Sequence, residues 1–311
     1  MKAYIITSAR YEECYIKEWV KYNLEIGFDK IIINDNNPKD YPYNPKDILK
    51  EYIDKGQVIV ERYYDEHELP NDIQTWDEEF GKIYTWLYDK YKDEFDWFAK
   101  LDIDEFIEIP ETNNNIKSFL QQDKFNNALS IIIPWKLYSI KDKYSNYYTR
   151  LKYNKDRYTT DKIDILYDWM FKSIIKKTEY VDWIGAHWAE FKISYNNDKN
   201  LICYALPDGK NASLEILFNT DVEYDIMFKK LNQKLIYINK ISCICHINHY
   251  NIKSDEELCN KAIKFDADIY NGYSLHDFCV QLKEQHPDMF EHPRDLYKLY
   301  FIDNINNIQE D

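Results

Sequence analysis

The sequence predicts an α/β fold in which a mainly parallel sheet is flanked by helices. Short apolar runs alternate with amphipathic stretches through the first hundred residues, and turn-forming clusters separate them. Repeated strand–helix units of this kind imply right-handed crossovers and parallel strand pairing. A chain of 311 residues, 45% of them hydrophobic, can also bury the large core that such a sheet requires.

Four strands and three helices are predicted in the first third of the chain. Gly27 and Gly56 follow the first two helices, as is typical of glycine at a helix end. The predicted strands cover residues 3–7, 28–34, 57–63 and 96–101, and the predicted helices cover residues 12–26, 45–55 and 72–92.

The pattern is less regular after Pro110. The sequence predicts a helix, a buried strand ending at Pro134, a hairpin and a helical C-terminal extension that begins at the capping box of Ser254. These elements cover residues 116–122, 128–135, 169–184 and 254–311. We therefore expect one domain over residues 1–250, in halves 1–108 and 109–250, followed by a helical extension over 251–311.

The overall charge excludes some classes of partner. A formal net charge of −15 argues against general binding to nucleic acid or to anionic membranes, which attract accumulated positive charge. No run approaches 18 apolar residues, and the start of the chain lacks the apolar core of a signal peptide, so we expect a cytoplasmic protein with no transmembrane segment. Zinc binding by Cys243, Cys245, His246 and His249 is conceivable, but the alternation of these cysteines with apolar residues favours a strand.

Three carboxylates follow the fourth predicted strand, in the segment Asp102-Ile103-Asp104-Glu105. In a chain this acidic, acid-x-acid patterns occur by chance at about ten places. This pattern differs because it lies at the carboxyl end of a strand, where open α/β sheets bind ligands. Buried charge is costly unless it is paired or bound to a cation. A divalent metal site is therefore the leading interpretation, with a solvated strand end as the alternative.

Two blocks of sequence resemble glycosyltransferases of the family 2 and family 92 type. The first covers residues 8–31 and the following Asn34-Asp35-Asn36, and the second is the Asp-Trp-x-x-x-x-Asp-x-Asp-Glu-Phe block from Asp96 to Phe106, which is similar to the family's metal motif. Weaker matches occur at Arg150, at residues 172–174 and at residues 248–254, whereas Ala9-Arg10 stands where the family usually has Lys-Asn. The resemblance implies a GT-A (Rossmann-like) fold and an inverting hexosyltransferase that takes its sugar from a nucleotide donor.

The resemblance also implies roles for individual residues. Mn²⁺ or Mg²⁺ would be held by Asp102, Asp104 and His249, with His246 competing for the histidine position and Asp102 alternatively binding the donor ribose. A carboxylate must deprotonate the acceptor hydroxyl in an inverting reaction, and the candidates are Glu190, which is favoured, Asp168 and Asp182. Other residues would bind the nucleotide-sugar donor, some at strand–helix turns and some against its diphosphate. They are Thr7, Ser8, Arg10, Glu12, Asp35, Gln74, Asp102, Lys172 and Lys253.

The expected function is transfer from a UDP-sugar to a carbohydrate hydroxyl in the synthesis of a surface polysaccharide or glycoprotein glycan. A nucleotidyltransferase or phosphotransferase on a similar sheet is one alternative, although the chain has no Gly-rich phosphate loop. A carbohydrate-binding module without catalysis is the other.

Overall fold

The computed structural model divides the chain into two units, which are residues 1–137 with 163–249, and residues 138–162 with 250–311. The residues that it describes are 1–10, 12–13, 15–37, 39, 41–67, 76–137, 171–185, 187–192, 201–212 and 240–250, together with two short strands at 269–270 and 273–274. The helical extension predicted for residues 251–311 lies outside the described residues apart from these two strands. Those four residues are extended and not helical.

The first unit contains ten strands and six helices within the described residues. The strands are β1 (Ala3–Ala9), β2 (Lys30–Asp35), β3 (Val58–Glu61), β4 (Trp97–Lys100), β5 (Glu105–Glu108), β6 (Ser130–Leu137), β7 (Phe171–Lys176), β8 (Val181–Ile184), β9 (Ala189–Phe191) and β10 (His246–His249). The helices are α1 (Ile16–Glu25), α2 (Pro45–Ile48), α3 (Lys50–Asp54), α4 (Tyr63–Glu66), α5 (Trp76–Tyr91) and α6 (Ile116–Leu120). Among the described residues, no helix has both the length and the apolar character needed to cross a membrane.

Eight of these strands form one sheet in the order β3-β2-β1-β4-β7-β6-β10-β5. The first four are parallel to one another, β7 and β5 are antiparallel to their neighbours, and β6 pairs in parallel with β10. The predicted α/β fold with a mainly parallel sheet is therefore confirmed. Gly27 and Gly56 lie just beyond α1 and α3 with φ angles of +104° and +70°, the left-handed region that glycine adopts without strain.

Two predictions for the later strands were wrong. The predicted hairpin over residues 169–184 does not form, because β7 is inserted between β4 and β6 and β8 pairs with β9 instead. The strand predicted to end at Pro134 continues to Leu137. Pro134 is the last residue of β6 that pairs with β7, and the pairing with β10 begins at Trp135, so the proline lies where the strand changes partner.

The connection between β4 and β5 requires the sheet to curl. These strands are four positions apart in the sheet order, which in a flat sheet corresponds to about 19 Å. The chain covers the distance from Lys100 to Glu105 in five residue steps, which reach at most about 18 Å when fully extended. Since the intervening residues form a turn, the sheet must bend and bring β5 back towards the end of β4.

Helix α5 packs on the sheet and on β8 at a notch that glycine creates. A β-carbon at Gly81 would lie 2.2 Å from the indole ring of Trp183, which is closer than any real side chain permits. Next to this contact, Tyr84, Leu87 and Phe98 are buried in the core between α5 and the sheet. Gly81 therefore allows the β8–β9 hairpin to approach the helix.

We expect Gly81→Ala to destabilise the protein by about 1–2 kcal/mol, because the clash with Trp183 outweighs the better helix propensity of alanine. Urea unfolding measures this difference. In a Trp183→Ala background the same substitution should be neutral or stabilising by up to about 1 kcal/mol. Equal effects in both backgrounds would show that the indole is not the cause.

Candidate active site

The acidic segment forms a closed turn between β4 and β5. The backbone N–H of Asp102 donates to Oε2 of Glu105 at 2.9 Å, and the backbone N–H of Glu105 donates to the carbonyl oxygen of Asp102 at 3.0 Å. The Glu105 side chain has no solvent exposure, and the indole N–H of Trp19 in α1 donates to the backbone carbonyl oxygen of Glu105. Glu105 therefore fixes the turn that presents Asp102 and Asp104.

Six strand ends meet around this turn. The carboxyl ends of β1, β4, β6 and β10 lie at the same edge of the sheet as the amino ends of β5 and β7. Ligands of open α/β sheets bind at such an edge. The polar and aromatic side chains that the strands bring there are Lys100, Glu105, Trp135, Lys172 and His249.

Two buried lysines hold the carboxylate of Asp102. The Nζ atom of Lys100 is 2.7 Å from Oδ1 and the Nζ atom of Lys172 is 2.6 Å from Oδ2, and the two lysine side chains are only 4% and 2% exposed. The surrounding protein atoms would by themselves raise the pKa of Asp102, but the two ammonium charges outweigh this desolvation and hold the pKa below its usual range. Asp102 is therefore ionised, with both oxygens engaged and 41% of its side chain exposed.

Asp104 lies beside a histidine. Its Oδ1 atom is 3.5 Å from Nε2 of His249, the last residue of β10, and the two side chains are 15% and 10% exposed. The imidazole ring of His249 packs against the indole of Trp135 with 4.2 Å between the ring centroids. Carboxylate oxygen and imidazole nitrogen are both ligands of divalent cations. Within the described ranges, no group of three His, Cys, Asp or Glu side chains is arranged to hold a metal ion, so a cation here would need further ligands.

The alternation of side chains along β10 separates the two candidate histidines. His246 and His249 are three residues apart on a strand and thus face opposite sides of the sheet. His246 donates from Nδ1 to the carbonyl oxygen of Ser242 at 2.7 Å, and its Nε2 atom lies 3.6 Å from Oε2 of Glu108. The structure therefore brings His249, and not His246, to Asp104.

The turn after β2 is closed by its own contacts. Oδ1 of Asp35 accepts hydrogen bonds from the backbone and side-chain amides of Asn37 at 3.0 and 2.7 Å, and Oδ2 accepts one from Arg62 at 3.0 Å. Arg62 also donates to the carbonyl oxygen of Asn37. Asp35 was predicted to contact the nucleotide-sugar donor. Its carboxylate shapes this turn and already accepts hydrogen bonds on both oxygens.

The other predicted contacts near β1 line or underlie the same edge. Thr7 is completely buried, and the hydroxyl oxygen of Ser8 accepts a hydrogen bond from Asn34 at 3.1 Å. Glu12 lies on a shallow pocket with a cavity volume of only about 10 Å³ between the turns that follow β1 and β2, and Arg10 is half-buried just after β1. The pocket is lined by Ala9, Glu12, Glu13, Ile16, Asn37, Tyr43, Pro45 and Ile48.

Within the described residues, no contact joins the predicted base Glu190 to this cluster. Glu190 is exposed on β9, where it pairs across the hairpin with Trp183. Gln74, Asp168 and Lys253, as well as Arg150, lie outside the described residues.

His187 is a site residue that the sequence prediction missed. Its ring is 5.4 Å from the ring of Trp135, and its Nδ1 atom is 2.8 Å from the carbonyl oxygen of Phe171. Desolvation, with the positive charges of Lys172 and Lys100, lowers the pKa of His187 to about 3, so the ring is neutral at physiological pH. Its only sequence signal was its place between Gly185 and Trp188 in a segment of otherwise weak pattern.

A family model described as glycosyltransferase family 92 matches residues 8–203, which is more than half of the chain. The chain therefore belongs to glycosyltransferase family 92. None of the curated proteins matches the sequence.

Three solved structures show distant similarity. One structure of S. aureus TarS is 17% identical, covering 47% of this chain and 23% of that chain, with a TM-score of 0.32. The 1–349 fragment of S. aureus TarS is 13% identical, covering 98% and 73%, with a TM-score of 0.35. A glycosyltransferase involved in glycosylation of the major capsid of PBCV-1 is 13% identical, covering 57% and 61%, with a TM-score of 0.26. The chain thus spans less than a quarter of the first of these proteins, and the family assignment rests on the family model.

The lowered pKa of His187 predicts a loss of stability in mild acid. Below pH 6.5 the unfolded chain binds a proton on this residue, whereas the folded chain does not until about pH 3. The stability that His187 contributes is therefore complete above pH 6.5 and falls by about 2 kcal/mol between pH 7.5 and pH 5.

We expect His187→Asn, which keeps a donor for the Phe171 carbonyl oxygen, to flatten the pH dependence of the free energy of unfolding by that amount. Urea titrations of both proteins at several pH values measure it. Identical pH profiles would contradict the assignment.

Proposed function

We propose that this member of glycosyltransferase family 92 transfers a sugar from a UDP-sugar to a hydroxyl group of a glycan acceptor. The observation that carries the proposal is the pairing of Asp104 with His249 at the carboxyl edge of the sheet, next to the ionised carboxylate of Asp102. Family membership supports glycosyl transfer, and the contacts at this edge support its location.

A divalent cation fits the Asp104–His249 pair. One carboxylate and one imidazole form a mixed oxygen and nitrogen donor set, which suits Mn²⁺ better than Mg²⁺ because Mg²⁺ prefers oxygen ligands. When bound, the cation would neutralise negative charge on the diphosphate leaving group. Because the pair supplies only two ligands, oxygens of the diphosphate and water complete the coordination in this proposal. We therefore propose that the cation and the nucleotide bind together.

Asp102 is proposed to bind the donor ribose. Each of its oxygens accepts one lysine N–H, which leaves a second lone pair on each oxygen for a ribose hydroxyl. Its exposed fraction of 41% makes those lone pairs accessible. The nucleobase is proposed to lie at the surface of the turns that follow β1 and β2, next to Glu12 and to the turn that Asp35 and Arg62 hold in shape.

In an inverting reaction the position of the catalytic base is set by the direction in which the acceptor attacks. The acceptor oxygen attacks the anomeric carbon as the bond to the diphosphate breaks, and its proton passes to a carboxylate on the opposite side. Glu190 and Asp168 remain the proposed bases. The indole of Trp135 is buried and packs against His249 and His187, so it helps to hold both imidazole rings in place. Synthesis of a surface polysaccharide or glycoprotein glycan is the proposed pathway, and the cytoplasmic location stays a prediction.

UDP and Mn²⁺ together should stabilise the protein more than either alone. At about 100 times the dissociation constant, we expect the melting temperature to rise by about 5–10 °C, whereas Mn²⁺ without nucleotide should raise it by less than about 1 °C. Differential scanning fluorimetry measures both shifts.

Asp104→Asn should abolish the Mn²⁺-dependent part of this shift, because it removes the charged oxygen ligand. Asp93→Asn is the matched control, since Asp93 lies on the surface beside Lys177. A cation-dependent shift that persists in the Asp104 variant, or its absence in the wild-type protein with every nucleotide, would contradict the proposal.

One of the two base candidates should prove essential for transfer. We expect either Glu190→Gln or Asp168→Asn to lower kcat by about 10²- to 10⁴-fold while the affinity for UDP and Mn²⁺ stays the same. A coupled assay of UDP release, with calorimetry for binding, separates these quantities. Full activity in both variants would exclude both residues as the base.

A further inference from the structure

The lysines on either side of Asp102 form an unusual arrangement for a surface-accessible carboxylate. Lys100 comes from the end of β4 and Lys172 from the start of β7, 72 positions later in the chain, and both Nζ atoms converge on Asp102. The Nζ atom of Lys100 lies 4.8 Å from the ring centroid of the buried Tyr84, and that of Lys172 lies 5.7 Å from that of Trp135. Aromatic walls thus confine both ammonium groups. We call Lys100, Asp102 and Lys172 the lysine clamp.

Neither lysine of the clamp is placed to bind a diphosphate. Their side chains are 4% and 2% exposed, and the carboxylate of Asp102 lies against both charged groups. A phosphate would have to displace Asp102 to reach them. This differs from the phosphate contact that the sequence suggested for Lys172.

Stability alone does not account for two lysines here. Burying an ammonium group is costly, and apolar replacements of buried ion pairs are often neutral or stabilising. Lys172 is also 3.6 Å from Oε1 of the fully buried Glu105, so one lysine could serve that carboxyl group. The direct contact of Lys100 is with Asp102, on the oxygen that Lys172 does not bind. The arrangement is explained if the orientation of Asp102 itself matters.

We propose that Lys172, together with Lys100, is a positioning residue that fixes the Asp102 carboxylate for recognition of the donor ribose. With each oxygen bonded to a different lysine, the carboxylate is held in one orientation, and each oxygen keeps one in-plane lone pair on a side chain that is 41% exposed. This inference rests on the proposed function, in which Asp102 accepts a hydrogen bond from a ribose hydroxyl. The two lysines of the clamp act through Asp102 and make no contact with the donor themselves.

The test compares the binding of UDP with that of 2′-deoxy-UDP and 3′-deoxy-UDP, each with Mn²⁺, by calorimetry. The wild-type protein should prefer UDP to at least one deoxy analogue by tenfold or more, because a site built to bond a hydroxyl rejects its absence. Lys172→Met should reduce this preference to less than about threefold and leave the affinity for the deoxy analogue within about threefold. Lys100→Met should act in the same direction, and Asp102→Asn should have the same pattern.

Lys176→Met is the control, because Lys176 lies on the same strand but bonds to the carbonyl oxygen of Asn126. It should keep the wild-type preference. A purely structural role for Lys172 would weaken binding of UDP and the analogues equally, so an unchanged preference in both clamp variants overturns the inference. The variants should remain folded, since the exposed part of Asp102 can be hydrated when a lysine is removed.

A wild-type protein that binds no nucleotide, or binds UDP and both analogues equally, would instead contradict the proposed function. The clamp is then tested without nucleotide, by the melting temperatures of Lys172→Met, Asp102→Asn and the double variant. A double variant less destabilised than the sum of the single variants by several degrees supports the clamp. Losses of melting temperature that simply add would overturn the inference. If one single variant fails to fold, Lys100→Met takes its place in the cycle and the same criterion applies.

Discussion

The ionised carboxylate of Asp102 between two buried ammonium groups is the interaction on which the candidate site depends. The ammonium groups of Lys100 and Lys172 are buried against Asp102, whose negative charge offsets part of the cost of burying them, and the two lysines together hold the Asp102 carboxylate in place. Loss of the Asp102 charge would leave two buried ammonium groups with less compensation, whereas loss of one lysine would leave Asp102 paired with the other. The neighbouring Asp104 and His249 are presented by the same turn and by the strand that closes it.

The sheet topology brings these groups together. An uninterrupted parallel sheet would leave the acidic turn at the end of β4 without β5, β7 and β10 beside it. Insertion of the antiparallel β7 next to β4 delivers Lys172 to Asp102, and the curl that returns β5 towards β4 lets β10 deliver His249 to Asp104. The mixed half of the sheet therefore completes a site that the parallel half begins.

The sequence predicted the parallel half well because its signals are local. Apolar runs and glycines at helix ends defined the first four strands and the helices between them, and the position of Asp102 after a strand followed directly. The mixed half depends on contacts between distant residues. A weak family match singled out Lys172 as a donor contact, but nothing near it in the chain indicates its contact with Asp102. The pairing of Asp35 with Arg62 was hidden for the same reason. The sequence did contain a signal for choosing between His246 and His249. Their spacing of three residues on a strand places them on opposite faces of the sheet, so only one of them can face Asp104.

Asp35, Asp102 and Asp104, three of the four carboxylates that the sequence associated with the donor or its metal ion, differ in the basic groups beside them. Asp35 is bonded to a guanidinium group and Asp102 to two ammonium groups. These groups carry only donor hydrogens and cannot bind a cation, so they hold a carboxylate in place and repel a metal. The neighbour of Asp104 is an imidazole, which is itself a metal ligand when neutral. In the proposed function, electrostatics therefore favours Asp104 as the ligand of a cation, with Asp102 binding the ribose and Asp35 shaping the turn after β2.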